Sequence, residues 1–153
     1  ATQPQATPFD LDWQEADFVH ISQEQTRREQ LAARHGSPVL VCDTDAFATC
    51  IWHERYRGYA NPALLTLAEA LPARALYVLT DHHDVPFEDD GLRDGEELRG
   101  WMTERFVEAL EQRAVPWLRV SGAPAARVAA ALARVDEITA QRFTFAAPLP
   151  EKA

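Results

Sequence analysis

The chain has 153 residues, 46% of them apolar, and a net charge of −9, enough for one domain with its own core and too acidic for a general nucleic-acid binder, which needs a basic face against phosphates. No run approaches the roughly 20 apolar residues that span a bilayer, and the start lacks the basic and apolar pattern of a secretory leader, so a soluble, cytoplasmic domain away from membranes is expected. Fourteen of the 15 cationic residues are arginine and the only lysine is Lys152, which leaves no internal lysine for a Schiff base or a phosphate loop; any anion clamp must be built from arginine forks.

Residues 1–15 are rich in Pro, Gln and Thr without periodicity and read as a linker or cut end. Residues 16–142 are expected to form an α/β domain, and 143–153 a loose tail. Ala16 to His35 reads as a helix with Phe18, Ile21, Leu31 and Ala32 on one face and Gly36 as its terminator. Its polar middle is either a solvated face or sets Gln25 or Arg28 against a ligand. Val39 to Cys42 is a short apolar run that stops at Asp43-Thr44-Asp45. That pattern fits a buried parallel strand delivering carboxylates to a site, because ligands in open α/β sheets bind at the carboxyl ends of strands. Cys42 and Cys50 are too few for a disulfide framework or a zinc site, and packed, reduced thiols are expected.

Asp45 suits the N-cap of a helix reaching about Tyr56, with Phe47, Ile51 and Trp52 inward and Gly58 at its end. Asn61-Pro62 opens another to about Leu71, with Leu64, Leu65, Ala68 and Leu71 inward. A second strand, Ala75 to Leu79, ends in Thr80-Asp81. Residues 82–94 read as an irregular, lid-like loop. Asp94 with Glu97 caps a helix whose apolar stripe is Leu98, Trp101, Met102, Phe106, Ala109 and Leu110. Val115 to Val120 is a third strand, Ser121-Gly122 a turn, and Pro124 to about Gln141 a last helix with Val128, Ala131, Leu132 and Val135 inward. Strands alternating with helices predict a parallel sheet covered on both faces, a three-layer α/β/α fold.

Asp43 stands where a strand-end carboxylate holds magnesium, and Asp45 is placed to orient or deprotonate a hydroxyl; the plainer alternative is a turn former and a helix cap. Arg93 and Arg99 bracket the loop and the first turn of its helix, where arginines neutralise charge on a transferring phosphoryl group. Trp52 and Tyr56, four residues apart, either offer flat faces to a ring or pack in the core. His82 and His83 are adjacent and His20, His35 and His53 isolated, which by spacing offers no metal set. Neither a Gly-x-Ser-x-Gly nor a Gly-x-Gly-x-x-Gly motif is present.

The series Cys42-Asp43-Thr44-Asp45-x-x-x-Thr49, the aromatic-rich helix to Tyr56-Arg57-Gly58, Val85-Pro86-Phe87-x-x-Asp89-Asp90-Gly91-Leu92-Arg93 and Val115-Pro116 resembles the ribosylnicotinamide kinase domain of NadR-type proteins, within the P-loop kinase-like NTPases, over about residues 17–135. The resemblance implies phosphorylation of nicotinamide riboside by ATP and magnesium, in NAD biosynthesis or salvage. It implies Asp43 as the magnesium-side carboxylate, Asp45 as a substrate-hydroxyl ligand or base, Trp52 and Tyr56 near the nucleoside, Arg93 as a lid arginine, and Ser121-Gly122 near the adenine. That family also opens with a strand and a Gly-x-x-x-x-Gly-Lys-[Ser/Thr] loop, which this sequence lacks. The expectation is a P-loop NTPase-like fold without its first, central strand: the C-terminal part of a longer kinase-like protein, or a homologue without the loop. The partners expected are a homo-oligomer, or an upstream domain that supplies the phosphate loop, and the 153 residues alone would transfer little phosphate. The alternative is a non-catalytic module that keeps the fold to bind a nucleoside, a nucleotide or a protein.

Overall fold

A computed structural model describes residues 13–36, 38–83, 85–87 and 96–142. The elements run α1 (Glu15–His35), α2 (Ala46–Arg57), α3 (Pro62–Glu69), β1 (Tyr77–Thr80), α4 (Glu96–Arg113), β2 (Trp117–Val120) and α5 (Pro124–Arg142). Local chemistry sets most of these bounds. The Gln14 amide donates to Asp17 at 2.9 Å at the start of α1, and the helix stops at Gly36, where a Cβ would lie 2.8 Å from the Ala32 carbonyl oxygen. Asp45 caps α2 by accepting the Ala48 amide at 3.0 Å. Gly58 closes it in the left-handed conformation, φ +78°, which only glycine adopts without strain. Asn61 caps α3 through the amides of Ala63 and Leu64, with Pro62 in the first turn.

Helices α1, α2 and α3 pack on one another, α2 also meets α4, and α5 lies against β2. The core is Phe47, Ile51, Ala68, Met102, Ala109 and Leu110; Phe47 with Ile51, and Leu64 with Ala68, are four apart and face inward as their spacing predicts. Arg105 of α4 holds Glu54 of α2 with its Nε 3.0 Å from each carboxylate oxygen. Arg113 lies over the Phe47 ring at 4.9 Å and donates to the Ala68 carbonyl at 3.1 Å. Strands β1 and β2 pair in parallel, from Tyr77 opposite Trp117 to Thr80 opposite Val120, with α4 as the crossover that a parallel pair requires. Their carboxyl ends therefore open on the same side.

Several expectations need correction. Residues 39–42 form no strand, and Val41 is 85% exposed. A strand takes its backbone hydrogen bonds from a neighbour; none of the described strands lies beside this segment, so apolar composition alone does not bury it. The described sheet has two strands where three were expected, and Val78 on β1 is exposed among the described residues. On α1, Ile21 and Leu31 are exposed, and Phe18, Ser22 and Glu29 turn inward. On α4 Trp101 is exposed, and on α5 Val128 and Leu132 are 58% and 55% exposed, because no described element covers that face of the last helix. The expected Asp94 cap lies outside the described residues, as do residues 1–12 and 143–153. Among the described residues no helix is long and apolar enough to cross a membrane.

Candidate functional site

Two polar constellations sit at opposite ends of β1. The first surrounds Asp45, which is buried. One of its oxygens caps α2; the other accepts from Arg74 Nε at 3.3 Å and from the Tyr77 hydroxyl at 3.0 Å. Arg74 Nη2 also lies 2.5 Å from Glu29 of α1, whose second oxygen accepts from Gln25 at 3.0 Å. Burial, reinforced by Asp45, pushes the Tyr77 phenol up to about 12, and burial beside Glu29 raises the Cys42 thiol. Thr44, with φ +62°, stands between residues 39–42 and α2, a costly conformation for a β-branched residue. Both Asp45 oxygens are engaged. The cluster ties α1, α2 and β1 together.

The second constellation lines a cavity of about 680 Å3 where β1 ends. Its apolar wall comes from Trp52 and Tyr56 of α2, Leu98, Met102 and Phe106 of α4, and Val85, Pro86 and Phe87. The Trp52 and Tyr56 rings stack on each other, centroids 6.2 Å apart and planes at 23°; they form a two-ring platform rather than jaws around a third ring. The polar floor is Thr80, Asp81, His82 and Thr103, with Arg99 and Arg127 at the edge.

Asp81 is the first residue after β1. It accepts the His83 amide at 2.9 Å, His83 Nδ1 at 2.6 Å and Arg119 Nε at 2.6 Å. The His83 amide and the Arg119 guanidinium hold its carboxyl well below the usual carboxylate range. His82 Nδ1 lies 3.0 Å from the Thr103 hydroxyl, whose own proton goes to the Arg99 carbonyl at 2.9 Å, so His82 is the donor. Two arginines brace the backbone of this corner. Arg127 donates to the carbonyls of Gly122, Asp81 and His83 at 2.6, 2.7 and 3.0 Å, and Arg99 to those of Val85 and His82 at 3.0 and 2.9 Å.

Of the residues singled out from sequence, the structure brings Trp52, Tyr56 and Arg99 to this cavity. Arg99 acts there as a brace on carbonyls and lies 5.9 Å from the Phe87 ring centroid. Asp43 is exposed and does not line it, Asp45 belongs to the other cluster, and Gln25 is bound to Glu29. Ser121 is exposed just beyond β2, and the Gly122 carbonyl is taken by Arg127. Arg93 lies outside the described residues. Spacing missed Asp81, His82, His83, Arg119 and Arg127. The signal is a strand ending in Thr80-Asp81; adjacent spacing hides the two histidines, which lie after β1 with both rings near the Asp81 carboxylate. Cys42 and Cys50 are free thiols, and burial pushes that of Cys50 up to about 11.

A family model described as an AAA domain matches residues 2–127 of the chain. No curated protein and no solved structure matches it significantly.

Proposed function

The chain belongs to the AAA-domain family, and from that premise we propose that it is a P-loop-like nucleotide-binding domain of the kinase type, whose cavity at the end of β1 receives the nucleoside that accepts a phosphoryl group. The observation that carries this reading is the cavity itself: about 680 Å3, at the carboxyl end of β1, with a stacked Trp52–Tyr56 platform on one wall. Ligand pockets are commonly about 300–1,000 Å3, mostly apolar with a few convergent polar groups, and α/β folds bind at this edge of the sheet. A flat base lies on the platform, and Thr80, Asp81, His82 and Thr103 stand by for a ribose. Nicotinamide riboside is the substrate we favour, because its cationic ring gains roughly 0.5–2 kcal/mol over an aromatic face.

Magnesium ATP does not fit the described residues alone. The sequence holds no Gly-x-x-x-x-Gly-Lys-[Ser/Thr] loop, and the two arginines at the cavity edge are committed to backbone carbonyls. A phosphate loop would have to come from a further domain; Asp43, exposed beyond residues 39–42, is the carboxylate such a loop would find for magnesium.

Thermal melts of the chain with nicotinamide riboside, adenosine and magnesium ATP test the reading. A ligand specific to the native state adds about 2.7 kcal/mol at 100 times its dissociation constant. Nicotinamide riboside is expected to raise the midpoint and Trp52→Ala to remove most of that rise. A melt indifferent to every nucleoside would overturn the reading in favour of a protein-interaction module.

A further inference from the structure

We propose that Asp81, His82 and His83 form a binding site for a divalent cation of the zinc class, open to the cavity. The site stands on its own geometry, whichever organic ligand the cavity takes. One ligand atom from each residue lies within 4.8 Å of the other two. The Asp81 Oδ1 atom is 2.6 Å from His83 Nδ1 and 3.5 Å from His82 Nδ1. Tetrahedral zinc, with bonds of about 2.0–2.1 Å, sets neighbouring ligand atoms roughly 3.3 Å apart. The Asp81–His82 spacing already suits a shared ion, and the Asp81–His83 spacing must open by roughly 0.7 Å. His83 can supply that movement, since its side chain is 66% exposed and at the end of the turn.

The surroundings match a metal site in three further ways. Asp81 turns its other oxygen to Arg119 at 2.6 Å, and a partner behind a ligating carboxylate fixes its direction, as the groups behind metal ligands do. The backbone that carries all three residues is braced by Arg127 and Arg99 through the carbonyls of Asp81, His82 and His83, so little ordering remains when the ion binds. Three protein ligands leave a coordination position for water or for a group entering the cavity. Without the ion, protons occupy its place: His83 Nδ1 gives its hydrogen to Asp81, and His82 Nδ1 gives its hydrogen to Thr103. The cation takes over the two imidazole lone pairs when those protons leave. Two nitrogens and one oxygen favour zinc, cobalt, nickel or copper over magnesium, which prefers oxygen.

The experiment is a titration of the full chain with cobalt(II), followed by its visible absorption, with zinc(II) and magnesium(II) by calorimetry. One cobalt per chain with imidazole-type absorption, displaced by zinc and not by magnesium, is expected. His83→Ala, with its metal-free melt recorded alongside, should weaken cobalt binding about tenfold or more, and His82→Ala with His83→Ala should abolish it; loss of a group that merely supports a ligand already costs about 10–100-fold. Equal cobalt affinity in the double variant would overturn the site, and so would magnesium binding as tight as zinc.

Discussion

Arg74 bridges two buried carboxylates, Glu29 on α1 and Asp45 at the head of α2. Arg74→Met keeps the length of the stem and removes the charge. Glu29 then retains the Gln25 amide, and Asp45 retains the Ala48 amide and the Tyr77 hydroxyl, but two ionised groups lie together, 8% and 4% exposed, with no cation between them. Breaking a buried pair in this way costs about 3–5 kcal/mol, because the partner left behind keeps its desolvation penalty. At roughly 2–4 °C per kcal/mol for a chain of this size, the melting midpoint should fall by about 6–20 °C. Urea unfolding at neutral pH, extrapolated to water, measures the loss directly. Adding Glu29→Gln to Arg74→Met should recover part of it, since one orphaned charge disappears and residues in one network couple by about 0.5–3 kcal/mol. A loss under about 1 kcal/mol in the single variant, or a double variant no better than the sum of the two singles, would refute the network as the tie between α1, α2 and β1.

Acid sensitivity at the other end of β1 is expected to run through Asp81. Its folded-state pKa is depressed by the His83 amide and Arg119, so its contribution is complete above about pH 5 and fades as pH falls through the ordinary carboxylate range near 4 and below. The stability gap between the wild type and Asp81→Asn should therefore narrow from pH 7 to pH 3, as followed by urea unfolding; a constant gap would remove the carboxylate from that account. Leu64→Ala, at a fully buried position, should cost about 2–5 kcal/mol, whereas Val41→Ser, at an 85% exposed one, should stay within about 0.5 kcal/mol. A large loss at Val41 would restore the segment to the core.

Helix positions and caps were legible in the chain itself, because they depend on neighbours within four residues: Asp45 before Ala48, Asn61 before Pro62, Gly58 after Arg57. The parallel pair was legible for a related reason, as two short apolar runs around a strong helix have few other ways to meet. Pairing of residues 39–42 was not, since a strand exists only with a partner and the sequence of the strand does not name one. The inward face of α1 was also hidden: its middle is polar, and only the arrival of Arg74 from 45 residues away makes burial of Glu29 affordable. The stacked pair Trp52 and Tyr56 could be found by spacing, and their cavity could not. It took the crossover through α4 to set β1 beside β2, and the arginines from α4 and α5 to fold the turn after β1 so that Asp81, His82 and His83 face one point. Periodicity reports contacts within an element, whereas a site made by a turn and two distant arginines is decided by long-range hydrogen bonds that only the tertiary structure assembles.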